Sequence, residues 1–513
     1  MQFLFINKMK KYILEISVFI CGAVVMVFEL VGSRVLGPFF GTSIFVWTSL
    51  IGIILGSLSL GYYFGGKIAD KNPSFSNLSL IVFLSAIFIG LTVLIKEPLL
   101  LILQNSSLNI KTGSVLASLI LFLPTSVLLG MVSPYSAKLK INSLDTSGST
   151  IGTLYALSTA GSIFGTFLAG FYLIPQFGTN KMLLILVFVL IIVSILIYSK
   201  RNLIGKVFVL IFVLASWISF NQFNSLSEKN GFIDVDTTYN RILISEHKDI
   251  KTDRIVRVMG INNENHSSMF LDSDELVNEY SKYFHLAKYF NPNFKKSLVF
   301  GGAGYSYPKD YLLKYPDATI DVVEIDSKIT ELAKKYFNLK ENPRLTIYHE
   351  DGRVYLNKTL ARLVGKEKYD VIFGDAFGSR YSIPYQLTTK EAVQKKYDIL
   401  NENGVVVLNL ISSIEGESGK FLRAEYATYK NIFPHVYVFP VGENNNGEEV
   451  QNIILIALKT KDLPAQAGKQ IFSSNDPELN KYLQRVWKKE IKIDVPILTD
   501  DFAPVDYYID KVI

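Results

Sequence analysis

The hydrophobic pattern of the chain changes near residue 221. Before it, apolar runs recur at 12–33, 44–66, 79–96, 112–137, 150–174, 180–199 and 203–220, lengths that cross a hydrocarbon core about 30 Å thick. Seven spans are expected. The first run is too long for a cleavable signal, lacks a small-residue cleavage site and is followed by further spans. Beyond Asn221 the pattern becomes one of short strands and helices. "YNRILISEHKD", "RIVRVMGINN" and "SSMFLDSDE" read as strands of a small β region. A βα series follows, with strands at 297–304, 319–326, 344–352, 369–377 and 404–412 separated by helical patterns such as 327–337 and 389–400. That alternation predicts a doubly wound, mostly parallel sheet binding ligands at the carboxyl ends of its strands. The expected fold is an α-helical transmembrane bundle, a small β region and an α/β Rossmann-like methyltransferase-fold domain. The boundaries are 1–221, 222–290 and 291–513.

Charge follows the same division. The segment to Asn221 carries a net +9 and the remainder a net −3, so the basic balance belongs to the apolar half and marks membrane flanks. Nucleic-acid binding is not expected. The single cysteine, Cys21, lies in an apolar run, and five scattered histidines have no ligand spacing; neither a disulfide framework nor a metal site is expected. Ten lysines and arginines fall on one side of the spans, at Lys8, Lys10, Lys11, Lys67, Lys71, Lys138, Lys140, Lys200, Arg201 and Lys206, against four on the other. This bias makes the N-terminus cytoplasmic, and an odd span count then puts the second half outside. An eighth crossing would reverse that side, and the stretch 96–110 is read as a re-entrant piece too short to span alone.

Within the spans, "GSLSLGYYFGG" (56–66) and "GSIFGTFLAG" (161–170) favour close helix packing. Glu29 and Arg34 read as an ion pair or as a polar site in the bundle, and Pro134 as a kink or helix end.

In the second half, carboxylates stand at successive strand ends. Strand one ends in Gly301, Gly302, Ala303 and Gly304. Strand two ends at Glu324, 22 residues beyond Gly302, where an acid can accept from both ribose hydroxyls. Strand three ends at Asp351-Gly352, placed for an exocyclic amine, and strand four at Asp375. Each acid alone also reads as a cap or turn residue, but the set points to an adenosine-type ligand. With no run compact enough to cradle phosphates, a sulfonium nucleoside is preferred to a dinucleotide.

"TTYNRI", "GGAG", "VVEID", "EDGR", "YDVIFGDAF" and "LTTKE" occur in an order and spacing by which residues 231–420 resemble the spermidine synthase branch of the S-adenosylmethionine-type methyltransferase fold. The N-terminal half and "LTDDFAPVD" (498–506) resemble membrane-bound, fused spermidine synthase-like proteins. The resemblance implies Glu324 as the ribose acid, Asp351 with Gly352 as the adenine-binding pair, Asp375 as the catalytic acid and Asn240 as a nucleoside contact. It also exposes departures. Gly304 and Gly378 stand where family members carry amine-gripping aspartates, and Tyr280 stands where a histidine lines the site. "GSRYSIPYQL" would gate the site, with Tyr381 and Tyr385 as lining aromatics. Decarboxylated S-adenosylmethionine, or S-adenosylmethionine, is the expected co-substrate, with no permanently bound cofactor.

Three functions follow: a membrane-anchored aminopropyltransferase of the polyamine type, a methyltransferase, or a transporter or sensor regulated by a degenerate nucleoside domain. The expected partners are a small amine or membrane-associated substrate, the bilayer and a second copy of the chain. A nucleoside donor argues for a cytoplasmic second half, against the span parity.

Overall fold

The computed structural model describes residues 12–512 except 107, 199, 230, 251, 363–367, 377–382, 445, 462–471 and 511. The chain forms two compact units, one of residues up to 230 with 234–238, the other of 231–233 and 239 onward.

Among the described residues the first unit contains seven helices long and apolar enough to cross a membrane: α1 (Ile13–Phe40), α2 (Ile44–Lys71), α3 (Phe75–Gln104), α4 (Ile110–Lys140), α5 (Ser147–Leu168, continued by a π-turn at Ala169–Leu173), α6 (Thr179–Ile197) and α7 (Leu203–Lys229). The two glycine-rich stretches pack as their composition implies. A Cβ on Gly161 would meet Phe19 O of α1 at 1.9 Å, one on Gly165 would meet Ala23 O at 2.4 Å, and one on Gly61 of α2 would meet Val127 O of α4 at 2.3 Å. These helices approach backbone to backbone.

Three local expectations are corrected. The stretch 96–104 is the last part of α3, which continues through Pro98. Pro134 lies inside α4, which runs on to Lys140; a bundle can satisfy the carbonyls a proline frees. Glu29 and Arg34 do not pair. Five residues apart on a helix they point about 140° from one another, and Arg34 Nη1 instead donates to Thr238 O at 3.1 Å, with Nη2 bonded to Thr237 O. Lys206, counted above as a flanking charge, is buried and donates to Ser79 Oγ at 2.7 Å and Tyr198 O at 2.8 Å.

β1 (Ile233–Asp236) falls where the chain passes between the units, and the second unit continues with an antiparallel meander of β2 (Arg241–Lys248), β3 (Ile255–Ile261) and β4 (Glu264–Phe270). The larger sheet follows: β5 (Lys296–Phe300), α8 (Ser306–Lys314), β6 (Thr319–Val323), α9 (Ser327–Tyr336), β7 (Leu345–Tyr348), α10 (Gly352–Arg362), β8 (Tyr369–Gly374), α11 (Lys390–Ile399), β9 (Leu400–Ser412), α12 (Lys420–Lys430), β10 (His435–Pro440) and β11 (Gln451–Leu458). Its strand order is β10-β11-β9-β8-β5-β6-β7, with β5 to β9 parallel and β11 antiparallel to both neighbours. This is a Rossmann-like methyltransferase fold. The five parallel strands follow the βα pattern of the sequence, whereas β10 and β11 were not expected from it.

The order reverses between β5 and β8, so their carboxyl ends define the crevice where such sheets bind ligands. Closure there is tight. Asp375 N donates to Phe300 O at 2.9 Å, and a Cβ on Gly301, whose φ is +94°, would lie 2.4 Å from Asp375 O. Gly301→Ala therefore combines backbone strain of about 1–2 kcal/mol with a main-chain clash. Thermal unfolding of the purified variant is expected to shift down by several degrees, whereas Gly416→Ala, with open space at its Cβ, bears only the strain.

Candidate active site

Glu324 follows β6 and is buried, and its carboxylate reaches back to the turn after β5. Oε2 accepts from Gly302 N at 2.8 Å and Ala303 N at 3.4 Å, while Oε1 accepts from Asp326 N at 2.9 Å. Burial raises its pKa, against these backbone donors, which favour the ionised form. The spacing between Gly302 and Glu324 thus has a direct physical basis: the acid pins the glycine turn. Oε2 is filled by its two backbone donors, and Oε1 keeps an acceptor site for a ligand hydroxyl.

Asp375 follows β8 and is held from two sides. Asn409 Nδ2 donates to Oδ1 at 2.9 Å and Tyr280 OH donates to Oδ2 at 3.0 Å. Burial pushes its pKa up to about 6, despite both hydrogen bonds. Asn409 is oriented in turn, since its Oδ1 accepts from Asn452 Nδ2 at 3.1 Å. Neither Asn409 nor Asn452 was expected at the site, although an amide in the apolar strand "VVVLNLIS" is a legible signal.

Around Asp375 lies a cleft, partly open to solvent, lined by Tyr280, Asn278, Phe284, Tyr307, His266 and the Gly301–Ala303 turn, with Ser267, Ser268, Ser281 and Ser306 among its polar wall. His266 was also missed. It stands on β4, and burial pushes its imidazole down to about 4, keeping it neutral at physiological pH. Its Nε2 and the Tyr307 hydroxyl are buried without a hydrogen-bond partner among the described residues.

A second pocket is lined by residues that include Phe300, Gly374, Ala376, Ile383, Pro384 and Leu387, with Lys396 and Glu425 also in its wall. Gly352 borders it, since a Cβ there would meet Phe300 at 3.1 Å and Leu387 at 3.2 Å. Lys396 donates to Leu387 O at 3.0 Å and Tyr429 OH at 2.8 Å. Burial lowers the Lys396 pKa and raises that of Glu425.

The other expected residues separate. Asp351 caps α10 by accepting from Val354 N at 2.9 Å. Gly304 is not among the cleft's lining residues, and a Cβ there would meet Ser267 Oγ at 2.6 Å and Phe337 at 2.8 Å. Asn240 accepts from Asn262 Nδ2 at 2.8 Å and lines neither cavity. Tyr385 is exposed and also lines neither. Gly378 and Tyr381 lie outside the described residues. The motifs "EDGR", "LTTKE" and "LTDDFAPVD" meet in space. Arg353 pairs with Asp500 and donates to Gln386 O at 2.9 Å and Thr389 Oγ1 at 3.0 Å, and Thr389 Oγ1 donates to Asp500 at 2.6 Å. No group of three or more metal-ligating side chains occurs among the described residues.

The fold is Rossmann-like, with Glu324, Asp351 and Asp375 following successive strands. Residues 278–443 match the spermine/spermidine synthase domain family. A polyamine aminopropyltransferase of Vibrio vulnificus is 27% identical over 313 residues, covering 60% of this chain and 98% of that protein. An eEF1A lysine and N-terminal methyltransferase of Xenopus laevis is 29% identical over 151 residues, covering 28% of this chain but 20% of that protein. The solved spermidine synthase of Thermotoga maritima aligns with 54% of this chain and 84% of its own, at 21% identity and a TM-score of 0.35.

The raised Asp375 pKa carries a stability consequence. Its neutral form is favoured in the folded state, so the stabilisation is complete below the unfolded value of about 3.9 and is lost as pH rises through about 6. The advantage of Asp375→Asn over the parent in thermal unfolding should grow by roughly 1–3 kcal/mol between pH 4 and pH 7.5.

Proposed function

We propose that this protein is a membrane-anchored aminopropyltransferase that uses decarboxylated S-adenosylmethionine and an amine acceptor. One observation carries the reading: Asp375, held by Tyr280 and Asn409, sits at the strand-order reversal beside the Gly301–Gly302 turn that Glu324 pins. In this reading Glu324 accepts from the ribose hydroxyls. The base lies in the apolar cavity bordered by Gly352, near the Asp351 cap, and the sulfonium faces Asp375. The acceptor nitrogen attacks the methylene beside sulfur, the C–S bond breaks, sulfur keeps the bonding pair, and methylthioadenosine leaves. The amine carries its proton at neutral pH; Asp375 accepts that proton before attack and so frees the nitrogen lone pair that forms the C–N bond. The raised pKa makes Asp375 a better proton acceptor than a solvated carboxylate. Similarity to the Vibrio vulnificus enzyme across nearly its whole length supports aminopropyl transfer. The likeness to the Xenopus laevis methyltransferase supports methyl transfer from S-adenosylmethionine as the second reading. The seven apolar helices are the proposed anchor, and the nucleoside donor favours a cytoplasmic catalytic unit.

Calorimetry on the detergent-solubilised protein with decarboxylated S-adenosylmethionine, S-adenosylmethionine and methylthioadenosine tests the donor. Preferential binding of the decarboxylated donor, weakened about 10- to 100-fold in Glu324→Ala through lost bonds to a charged acceptor, is the expected result. Preference for the ordinary donor would move the assignment to methyl transfer, and no nucleoside binding would end the enzyme reading. Methylthioadenosine release should rise as pH passes through about 6, where Asp375 ionises, and Asp375→Asn should abolish that limb with at least a ~100-fold loss in rate.

A further inference from the structure

The cleft at Asp375 has an unusual charge inventory for a site that takes an amine. Among its described lining residues only Asp375 bears a carboxylate; the other polar groups are four serines, Asn278, two tyrosines and the neutral His266. The nearby acids are engaged elsewhere: Asp310, whose charge reaches the Tyr307 hydroxyl, faces His285 at 2.7 Å and Lys314 at 3.6 Å. Glu279 pairs with Lys282 at 2.8 Å and Lys481 at 3.5 Å, and Asp274 lies 3.7 Å from Lys309. Between Asp375 and Glu391 the sequence contains no Asp or Glu. An acceptor with two ammonium groups would therefore leave one of them facing aromatic rings, hydroxyls and an uncharged imidazole, an unfavourable burial for an unpaired charge. The same wall holds two polar atoms that lack partners, Tyr307 OH and His266 Nε2. Buried polar groups left unsatisfied favour a ligand that supplies the missing hydrogen bonds.

Resting on the transferase reading above, we propose that the acceptor is an amine with one ammonium group and an uncharged hydrogen-bonding tail, of the amino alcohol class. Asp375 takes the nitrogen, and Tyr307 and His266 read the tail. Tyr307 can donate to a hydroxyl oxygen, while the imidazole nitrogen can donate or accept according to its tautomer. The transfer balances as before: the new C–N bond replaces the C–S bond, and the nitrogen's proton passes to the Asp375 carboxylate.

The test compares 4-amino-1-butanol, putrescine and butylamine, which share a four-carbon chain and differ only at the far end. Full-length solubilised protein is supplied with decarboxylated S-adenosylmethionine, and methylthioadenosine release is followed. The expected kcat/KM for the amino alcohol exceeds that for each other amine by roughly tenfold or more. Tyr307→Phe and His266→Ala should each shrink its advantage over butylamine. A preference for putrescine, or equal turnover of all three, overturns the inference while leaving aminopropyl transfer intact. Absence of turnover with every amine instead counts against the transferase reading. In that case binding of the three amines to protein saturated with methylthioadenosine decides the acceptor class, and lack of preference for the amino alcohol overturns it. The comparison on the parent protein stands even if a variant fails to fold.

Discussion

The close approach of β5 and β8 at their carboxyl ends is the constraint on which the site depends. Asp375 N binds Phe300 O, and Gly301 has no room for a side chain beside Asp375 O. Because these strands flank the reversal in strand order, the turn after one and the acid after the other open into the same crevice. Glu324 then fixes the turn by accepting from Gly302 and Ala303, so three strand ends become one rigid platform. Backbone contacts set the geometry before any ligand contributes, as preorganised sites require.

A second layer holds Asp375 itself. Asn452 orients Asn409, Asn409 and Tyr280 donate to the carboxylate, and Tyr280 comes from the segment after the β4 meander. Burial raises the affinity for a proton while two donors moderate the increase. Their balance sets the value near the range where a carboxylate can exchange a proton under physiological conditions. On the other side of this platform, Arg353, Thr389 and Asp500 join three distant sequence motifs. The C-terminal motif is therefore a brace between the segments at α10 and α11, which explains its coherence with "EDGR" and "LTTKE" in structural terms.

The first unit obeys a different rule. Apolar composition brings its helices together only weakly in lipid, and contact is governed by where glycine lets one backbone reach another. Gly61, Gly161 and Gly165 occupy such contacts, whereas Gly56, Gly66 and Gly170 of the same two stretches meet nothing. A glycine-rich segment thus identifies a helix capable of close packing without identifying the face that packs.

Local pattern was sufficient for the seven apolar helices, the five parallel strands and the acids at their ends, because hydrophobic period, length and turn residues act within a few positions of one another. It also linked Glu324 to Gly302, since a βαβ unit brings successive strand ends together. It did not determine that β10 and β11 complete the sheet or that Glu29 and Arg34 diverge. Nor did it bring His266 and Asn409 to the cleft at Asp375. Those outcomes arise from pairing and packing between segments far apart in the chain, where the direction of each side chain is set by its neighbours in space.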